Sequence, residues 1–574
     1  MSAAGAVGGS ARPAWLRWSD RALDALDRDR TCWVVLGVAM VAYVVLALWL
    51  IRGTTLFVDG LNLFLNNRGL DPGALLRPLN GHLVLMERSV YAAGFALFGA
   101  GSIAFRLVEV AGTLLAVGLL FELLKRRLGN AAALAPAVVV LFLGMAWEVT
   151  IVPDVMTNTF SAAAGLSAWL ALDRRDRRGD VVACLLLVAS ICCWTLGVAF
   201  AIGAGVRIAL EHGPRRRLLV PAIPLVLYAM WWIWVRVWFV PAHGGVQAAS
   251  LSNALTIPAF VAGEAASATA GMAGLGRSFT TTDPLAVLAI DPSLGYPLAV
   301  IGIVALVYIV RQRGARPALW GGVTALLSFW AALAVSFAEG RTPTTARYVY
   351  PGAVLALIVI AEALPGLRLS RRGLLALYGV AVFALGSNIH RLGEGARFFR
   401  DYSADQRAQW TAFEIAGKRA DPGYRVHEFL TPVLAGPYLD AVDRNGSPAY
   451  TPAALAAQPE NFRESADGAL VGVLGINLAP APGGHPLGRC RILRPASQGS
   501  PATIAVSPPN TVFLRSRSAA PVALRRFAST DTVGVGSLEP GRPTALRLPP
   551  DAYAGPWYLS VGPVQTPVSA CGGG

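Results

Sequence analysis

DRTCWVVLGVAMVAYVVLALWLIRGTTLFVDG, residues 29–60, settles the class of the chain. It carries no charge from Cys32 to Ile51, and a helix needs about 20 predominantly apolar residues to cross a bilayer. Residues 33–51 therefore read as a first transmembrane span. Arginines, among them Arg28 and Arg30, crowd the segment before it. Short arginine-rich flanks stay in the cytoplasm, so the N-terminus lies inside and the segment after Ile51, with Asp59, lies outside. The composition agrees. Of 574 residues, 55% are hydrophobic and 14% charged, whereas a soluble domain is about 25% charged. A formal net charge of +15 would suit a nucleic-acid partner. Here the arginines stand in short clusters between apolar runs, as membrane topology requires, and no nucleic-acid partner is expected.

The same criterion finds about eleven spans. They fall at 33–51, 103–124, 131–151, 156–173, as two short helices within 180–210 that turn near Trp194, and at 218–240, 295–311, 317–337, 348–365 and 373–389. The basic clusters Lys125-Arg126-Arg127, Arg174 to Arg178, Arg215 to Arg217, Arg311 with Arg313, and Arg368 to Arg372 then all face the cytoplasm. Residues 83–99 are apolar but broken by Glu87 and Arg88. They read as a helix on or partly in the membrane, with a crossing helix as the alternative. Trp231, Trp232, Trp234 and Trp238 form an interfacial belt, and 241–294 reads as a long outer segment. Trp15 to Arg30 is either an amphipathic surface helix or a plain basic tail.

Four regions follow: a cytoplasmic segment at 1–30, a transmembrane domain at 31–390 with an outer loop at 52–101, an extracytoplasmic mixed region at 391–487, and a β domain at 488–574. In the last, short β-prone runs at 503–507, 511–514, 521–524, 533–535 and 557–561 are punctuated by Pro, Gly and Ser, the pattern of a small β-sandwich. The expected fold is a polytopic α-helical membrane protein with an extracytoplasmic α/β region that ends in this sandwich. Cys32, Cys184, Cys192 and Cys193 lie in or beside spans and read as small hydrophobes. Cys490 and Cys571 lie in the outer region, where an oxidising compartment permits a disulfide.

The polar residues that topology gathers on the outer face are the candidates for chemistry. Asp59 can accept a proton from an attacking hydroxyl, help typically worth about 10²–10⁴-fold; a turn with Gly60 is the plainer reading. His82, in Asn80-Gly81-His82, can bind a phosphate or a sugar hydroxyl, or simply cap the helix after it. Glu87 and Arg88 are charges in an apolar helix, which are functional, paired or snorkelling. Glu148 and Asp154 make a second acidic point. With Asp59 they can hold a divalent cation such as Mg or Mn, although no D-x-D occurs in either loop. Arg341 and Arg347 flank one span, where an arginine can grip a phosphate bidentately or snorkel. Tyr348 and Tyr350 beside Arg347 suit an interface belt.

Asn80-Gly81-His82, Ala146-Trp147-Glu148, Ala346-Arg347-Tyr348-Val349-Tyr350 and Ala441-Val442-Asp443-Arg444-Asn445-Gly446-Ser447-Pro448 resemble, in that order and on that side of the membrane, a group of bacterial multi-pass proteins of the GT-C superfamily. These are membrane glycosyltransferases that use polyprenyl-phosphate-linked sugars. The resemblance covers roughly residues 30–450. It implies that Asp59 is the base of an inverting transfer and that Arg347 contacts the lipid phosphate. The leading reading is then transfer of a hexosyl or pentosyl group to an envelope or cell-wall glycan, with His82, Glu87, Arg88, Glu148, Asp154, Arg341, Arg347 and Tyr348 as the candidate substrate-binding residues. Trp557 and Tyr558 would hold the acceptor, or else belong to the core of the β domain. Many members carry paired acids in the first loop. Here Gly60 follows Asp59, which bears on metal use and on activity. The competing reading is a transporter or lipid-handling protein without transfer chemistry. That would need charges at mid-depth or paired broken helices; Arg106, Glu109, Arg236 and Glu362 lie near predicted span ends.

Overall fold

The computed structural model describes residues 25–101, 103–211, 213–240, 251–277, 284–337, 341–426, 432–481, 490–494, 500–563 and 566–572; most of the Trp15 to Arg30 segment lies outside the described residues. The chain divides into two compact units. One comprises Met1–Arg52, Gly69–Val90 and Ile103–Phe398, the other Gly53–Arg68, Tyr91–Ser102 and Phe399–Gly574.

The first unit is helical, and the chain is a multi-pass membrane protein. Among the described residues, eight helices are long and apolar enough to span: Asp29–Leu50, Ile103–Leu128, Asn130–Ile151, Arg215–Phe239, Gly295–Arg313, Pro317–Val335, Ala346–Ala363 and Arg371–Arg419. The expectation was about eleven. The difference lies in length. Met156–Leu172 and Arg177–Cys193 are helices of 17 residues and Leu196–Leu210 one of 15. At 1.5 Å per residue, even 17 residues reach only about 25 Å of a core about 30 Å thick. The expected break near Trp194 is present, because that residue adopts an extended conformation between two helices. One helix was not anticipated: Ile257–Ala273 lies in the supposed outer segment and buries Glu264.

A second break positions a candidate site residue. The Asn130–Leu141 helix gives way to a 3-10 turn at Gly144–Ala146 and then to a short helix, Trp147–Ile151. Any side chain at Gly144 would collide with the Asn388 carbonyl. The buried Asn388 amide accepts from the Met145 backbone N–H at 3.0 Å and donates to the carbonyls of Gly271 at 3.0 Å and Ala384 at 2.9 Å. One side chain thus satisfies the Met145 N–H that the break would otherwise orphan and ties the break, just before Trp147 and Glu148, to the Ile257–Ala273 helix.

The basic span ends are cross-braced. Arg127 bridges Asp173 at 2.9 Å and Glu362 at 3.1 Å, Arg207 meets the same Asp173 at 2.7 Å, and Arg217 reaches Asp180 at 3.1 Å and Glu211 at 2.7 Å. Glu362 was expected near a span end, and its carboxylate belongs to this network.

Among its described residues the second unit contains the helices Val58–Leu65, Ala435–Asn445 and Glu460–Val473 and nine strands. The strands are β1 (Leu478–Pro480), β2 (Cys490–Leu493), β3 (Ala502–Val506), β4 (Asn510–Arg515), β5 (Ala520–Arg525), β6 (Val533–Leu538), β7 (Thr544–Leu548), β8 (Trp557–Val561) and β9 (Val568–Gly572). They form two antiparallel sheets, ordered β1-β7-β4-β9-β2 and β3-β8-β5-β6. Alternate residues, among them Leu514 and Leu546 in one sheet and Val522, Trp557 and Leu559 in the other, are fully buried, as two inner faces of a sandwich require. Cys490 and Cys571 face each other across β2 and β9 and are joined by a disulfide. Trp557 is therefore core, not a contact surface; its neighbour Tyr558 is 37% exposed. Arg526 braces this domain from within. It pairs with Asp551 at 2.5 Å, donates to the carbonyls of Tyr553 and Gly555, and lies over the Tyr553 and Trp557 rings. A buried charge persists only when it is paired and hydrogen-bonded in this way.

Candidate functional site

In the first unit the site is built on a tight turn. Leu79 and His82 exchange both backbone hydrogen bonds, at 3.0 and 2.8 Å, around Asn80 (φ 50°) and Gly81 (φ 84°). Two successive left-handed residues define a type I′ hairpin turn, and Asn-Gly is its preferred pair. Three side chains clamp it. Arg88 donates to the carbonyls of Arg77 and Pro78 at 3.0 and 3.2 Å, Arg341 to the Asn80 carbonyl at 3.1 Å, and Trp231 to the Leu76 carbonyl at 2.8 Å. Arg88 is thus a turn-holding residue, and Trp231 of the aromatic belt has a specific partner.

The turn aims His82 inward. Its Nδ1 lies 3.1 Å from the Thr195 hydroxyl, and its ring packs edge-on against Trp194 at 5.7 Å. Burial, and then the positive charges of Arg341 and Arg347, push the imidazole pKa down to about 3. At neutral pH the ring is uncharged, with one nitrogen a donor and the other an acceptor. Arg347 sits 3.6 Å from the buried Glu148 carboxylate and 5.4 Å from the Tyr348 ring. About a third of its side chain remains exposed, against 3% for Glu148. His82, Arg341, Arg347, Glu148 and Tyr348 thus form one cluster within the unit. Asp154 is buried, and its charge opposes that of the buried Glu109, whose carboxylate accepts from Thr113 at 3.1 Å. Glu87 is buried in the helix Leu85–Phe98.

Asp59 belongs to the second unit. It stands in the first turn of the Val58–Leu65 helix rather than in a loop turn with Gly60. An acid there complements the positive helix end. This eight-residue helix is too short to stand alone, and its neighbours hold it. Phe57 packs on Phe399 and Tyr402 at 5.2 and 5.3 Å, and Thr55 N–H donates to Ser403 at 3.1 Å. At the other end Asn445 donates to the Phe64 carbonyl at 3.2 Å and accepts from Asn67 at 2.8 Å, while Arg444 donates to the Leu65 carbonyl at 3.0 Å. The motif Ala441 to Pro448 is therefore the mount of the acid-bearing helix. Among the described residues, no group of three or more His, Cys, Asp or Glu side chains is arranged to hold a metal ion.

Thr195 and Ser403 were not among the expected site residues, and Glu109 was expected only near a span end. The first had a signal, since it follows Trp194 at the recognised helix break. Glu109, an acid one or two turns into an apolar span, had another. Ser403 had none, because its partner Thr55 is 348 residues away.

No family model and no curated protein matches the sequence. Among solved structures the chain is similar to ArnT from Cupriavidus metallidurans bound to undecaprenyl phosphate, at 16% identity and a TM-score of 0.45, over 71% of this chain and 84% of that one. It is also similar to the archaeal oligosaccharyltransferase AglB from Archaeoglobus fulgidus, in complex with an inhibitory peptide and a dolichol-phosphate, at 14% identity and a TM-score of 0.39, over 75% of this chain and 66% of that one. Both are membrane glycosyltransferases of the GT-C superfamily.

Proposed function

We propose that the chain is a membrane glycosyltransferase that moves a hexosyl or pentosyl group from a polyprenyl-phosphate donor to an envelope or cell-wall glycan on the outer face. The observation that carries this reading is the cluster of Arg341 and Arg347 around a neutral His82, with Glu148 buttressing Arg347 from the buried side. Two guanidiniums beside an uncharged imidazole suit a phosphodiester that becomes a phosphomonoester as it leaves. Its growing negative charge meets fixed cations, and such preorganised charge is a large term in catalysis. With Nδ1 engaged by Thr195, His82 offers Nε2 to a sugar hydroxyl or phosphate oxygen.

Asp59 is the base in this scheme. The acceptor hydroxyl attacks the anomeric carbon, its proton passes to the Asp59 carboxylate, the bond from that carbon to the phosphate oxygen breaks, and the configuration inverts. Arg88 and Arg341 hold the turn, Tyr348 lies against Arg347, and Glu87 and Asp154 shape the surroundings. The N-terminus is cytoplasmic and the β domain extracytoplasmic. The Cys490–Cys571 disulfide supports that side, because disulfides persist in oxidising compartments.

Two variants of the full chain test the reading. Arg347→Gln should weaken binding of undecaprenyl phosphate to the purified protein about tenfold, the loss of one charge-assisted contact; unchanged affinity removes Arg347 from the donor site. Asp59→Asn should lower sugar transfer from polyprenyl-phosphate donors in membranes by about 10²–10⁴-fold. A stably expressed Asp59→Asn protein that transfers at the parental rate is not using Asp59 as its base.

A further inference from the structure

At the basic end of the first unit, lined by none of the residues assigned above, lies a cavity of about 1000 Å³ between the starts of two helices, Arg177–Cys193 and Leu219–Trp234. That size is at the top of the range for small-molecule sites. Its walls are of two kinds. The rim carries Arg175, Arg177, Arg216 and Arg217. The floor is formed by apolar side chains that face away from the protein interior, with exposures from 45% at Ile223 to 64% at Leu185 and with Val181 and Leu219 between them.

The acids of the rim are already engaged. Arg217 holds Asp180 and Glu211, Arg207 also holds Glu211, and Asp176 caps its own helix by accepting from the Gly179 N–H at 2.5 Å. Arg177 and Arg216 are exposed and make no ion pair among the described residues. They are left as cations above an apolar wall. The positive ends of both helices border the cavity. From Arg177 to Leu185 is eight residues, about 12 Å along the helix, so the wall runs from the level of the guanidiniums well into the hydrocarbon.

We infer that this cavity binds one anionic glycerophospholipid of the leaflet at the basic end of the spans, with its phosphate on Arg177 and Arg216 and its acyl chains along Val181, Leu185, Leu219 and Ile223. A small inorganic anion would use the rim and leave the wall bare. A zwitterionic lipid would use the wall and bring its own cation to the rim. Only an anionic lipid satisfies both surfaces.

The test uses the purified full chain and native mass spectrometry with phosphatidylglycerol and phosphatidylcholine of matched acyl chains. Wild-type protein should retain one phosphatidylglycerol in preference to phosphatidylcholine. Each basic contact near a membrane surface is worth about fivefold in affinity, so Arg177→Gln/Arg216→Gln should hold phosphatidylglycerol about thirtyfold more weakly. Arg311→Gln/Arg313→Gln, equal in charge and at another helix end outside the cavity, should retain it as wild type does. The inference is overturned if the two lipids bind equally, if Arg177→Gln/Arg216→Gln keeps wild-type affinity, or if inorganic phosphate displaces the lipid.

Discussion

Asn445→Ala is the perturbation that tests how the acid-bearing helix is mounted. Asn445 is buried and makes two hydrogen bonds to the segment around Val58–Leu65: its amide donates to the Phe64 carbonyl at 3.2 Å and accepts from Asn67 at 2.8 Å. Each bond contributes about 1 kcal/mol net, and their joint loss, about 2 kcal/mol, raises the local opening equilibrium about thirtyfold. The effect should be visible because an isolated eight-residue helix is unstable in water. Its backbone protection therefore reports its docking. Phe64 stays packed on Phe95 and Tyr438 at 5.7 and 6.2 Å, and Arg444 still holds the Leu65 carbonyl, so the helix should loosen without leaving. Hydrogen exchange of a peptide covering residues 58–66 should accelerate about thirtyfold, while the strands of the β domain keep their protection. Asn445→Asp retains the acceptor for Asn67 and loses the donor, and should accelerate exchange about fivefold. Unchanged exchange in Asn445→Ala would mean that aromatic packing alone mounts the helix, and the role given to the motif Ala441 to Pro448 would fall.

Three further outcomes are expected. The folded-state pKa of His82, about 3, lies below its unfolded value, so the unfolded chain takes up the extra proton; stability should fall as pH drops from about 6.5 towards 3, by up to about 1.4 kcal/mol per pH unit. Thermal melts of the purified protein against pH should show this slope, and His82→Gln should flatten it. Removing the disulfide in Cys490→Ala/Cys571→Ala, which frees a loop with a sequence separation of 81 residues, should cost the β domain about 2–4 kcal/mol, read as faster proteolysis of its strands in the intact protein. Gly81→Val places a branched residue at φ 84°, a strain of about 1–3 kcal/mol. Undecaprenyl phosphate binding should weaken with it, because the turn that aims His82 no longer closes without strain.

The hydropathy and punctuation of single stretches were enough to find the apolar helices and the change to β structure in the last hundred or so residues; among the described residues the five β-prone runs fall on β3, β4, β5, β6 and β8, whereas β1, β2, β7 and β9 had no such mark. These properties are local: a run of about 20 apolar residues prefers lipid whatever else the chain does. Even the short helices were visible as a stretch of 180–210 too long for one span and short for two. Asn80-Gly81 named its own turn for the same reason, since both residues accept the left-handed backbone that the turn demands. What a side chain meets is not local. That Arg88 clamps a turn, that Glu148 stands behind Arg347, that Asn388 ties off a helix break at Gly144, and that Asn445 mounts a helix some 380 residues earlier all depend on segments brought together by packing. Trp557 shows the limit most plainly. A tryptophan in a short strand reads equally well as a contact surface or as core, and burial between two sheets made it core. The neutrality of His82 has the same origin, because it follows from burial and from two arginines more than 250 residues away in sequence, and no reading of residues 80–82 alone contains them.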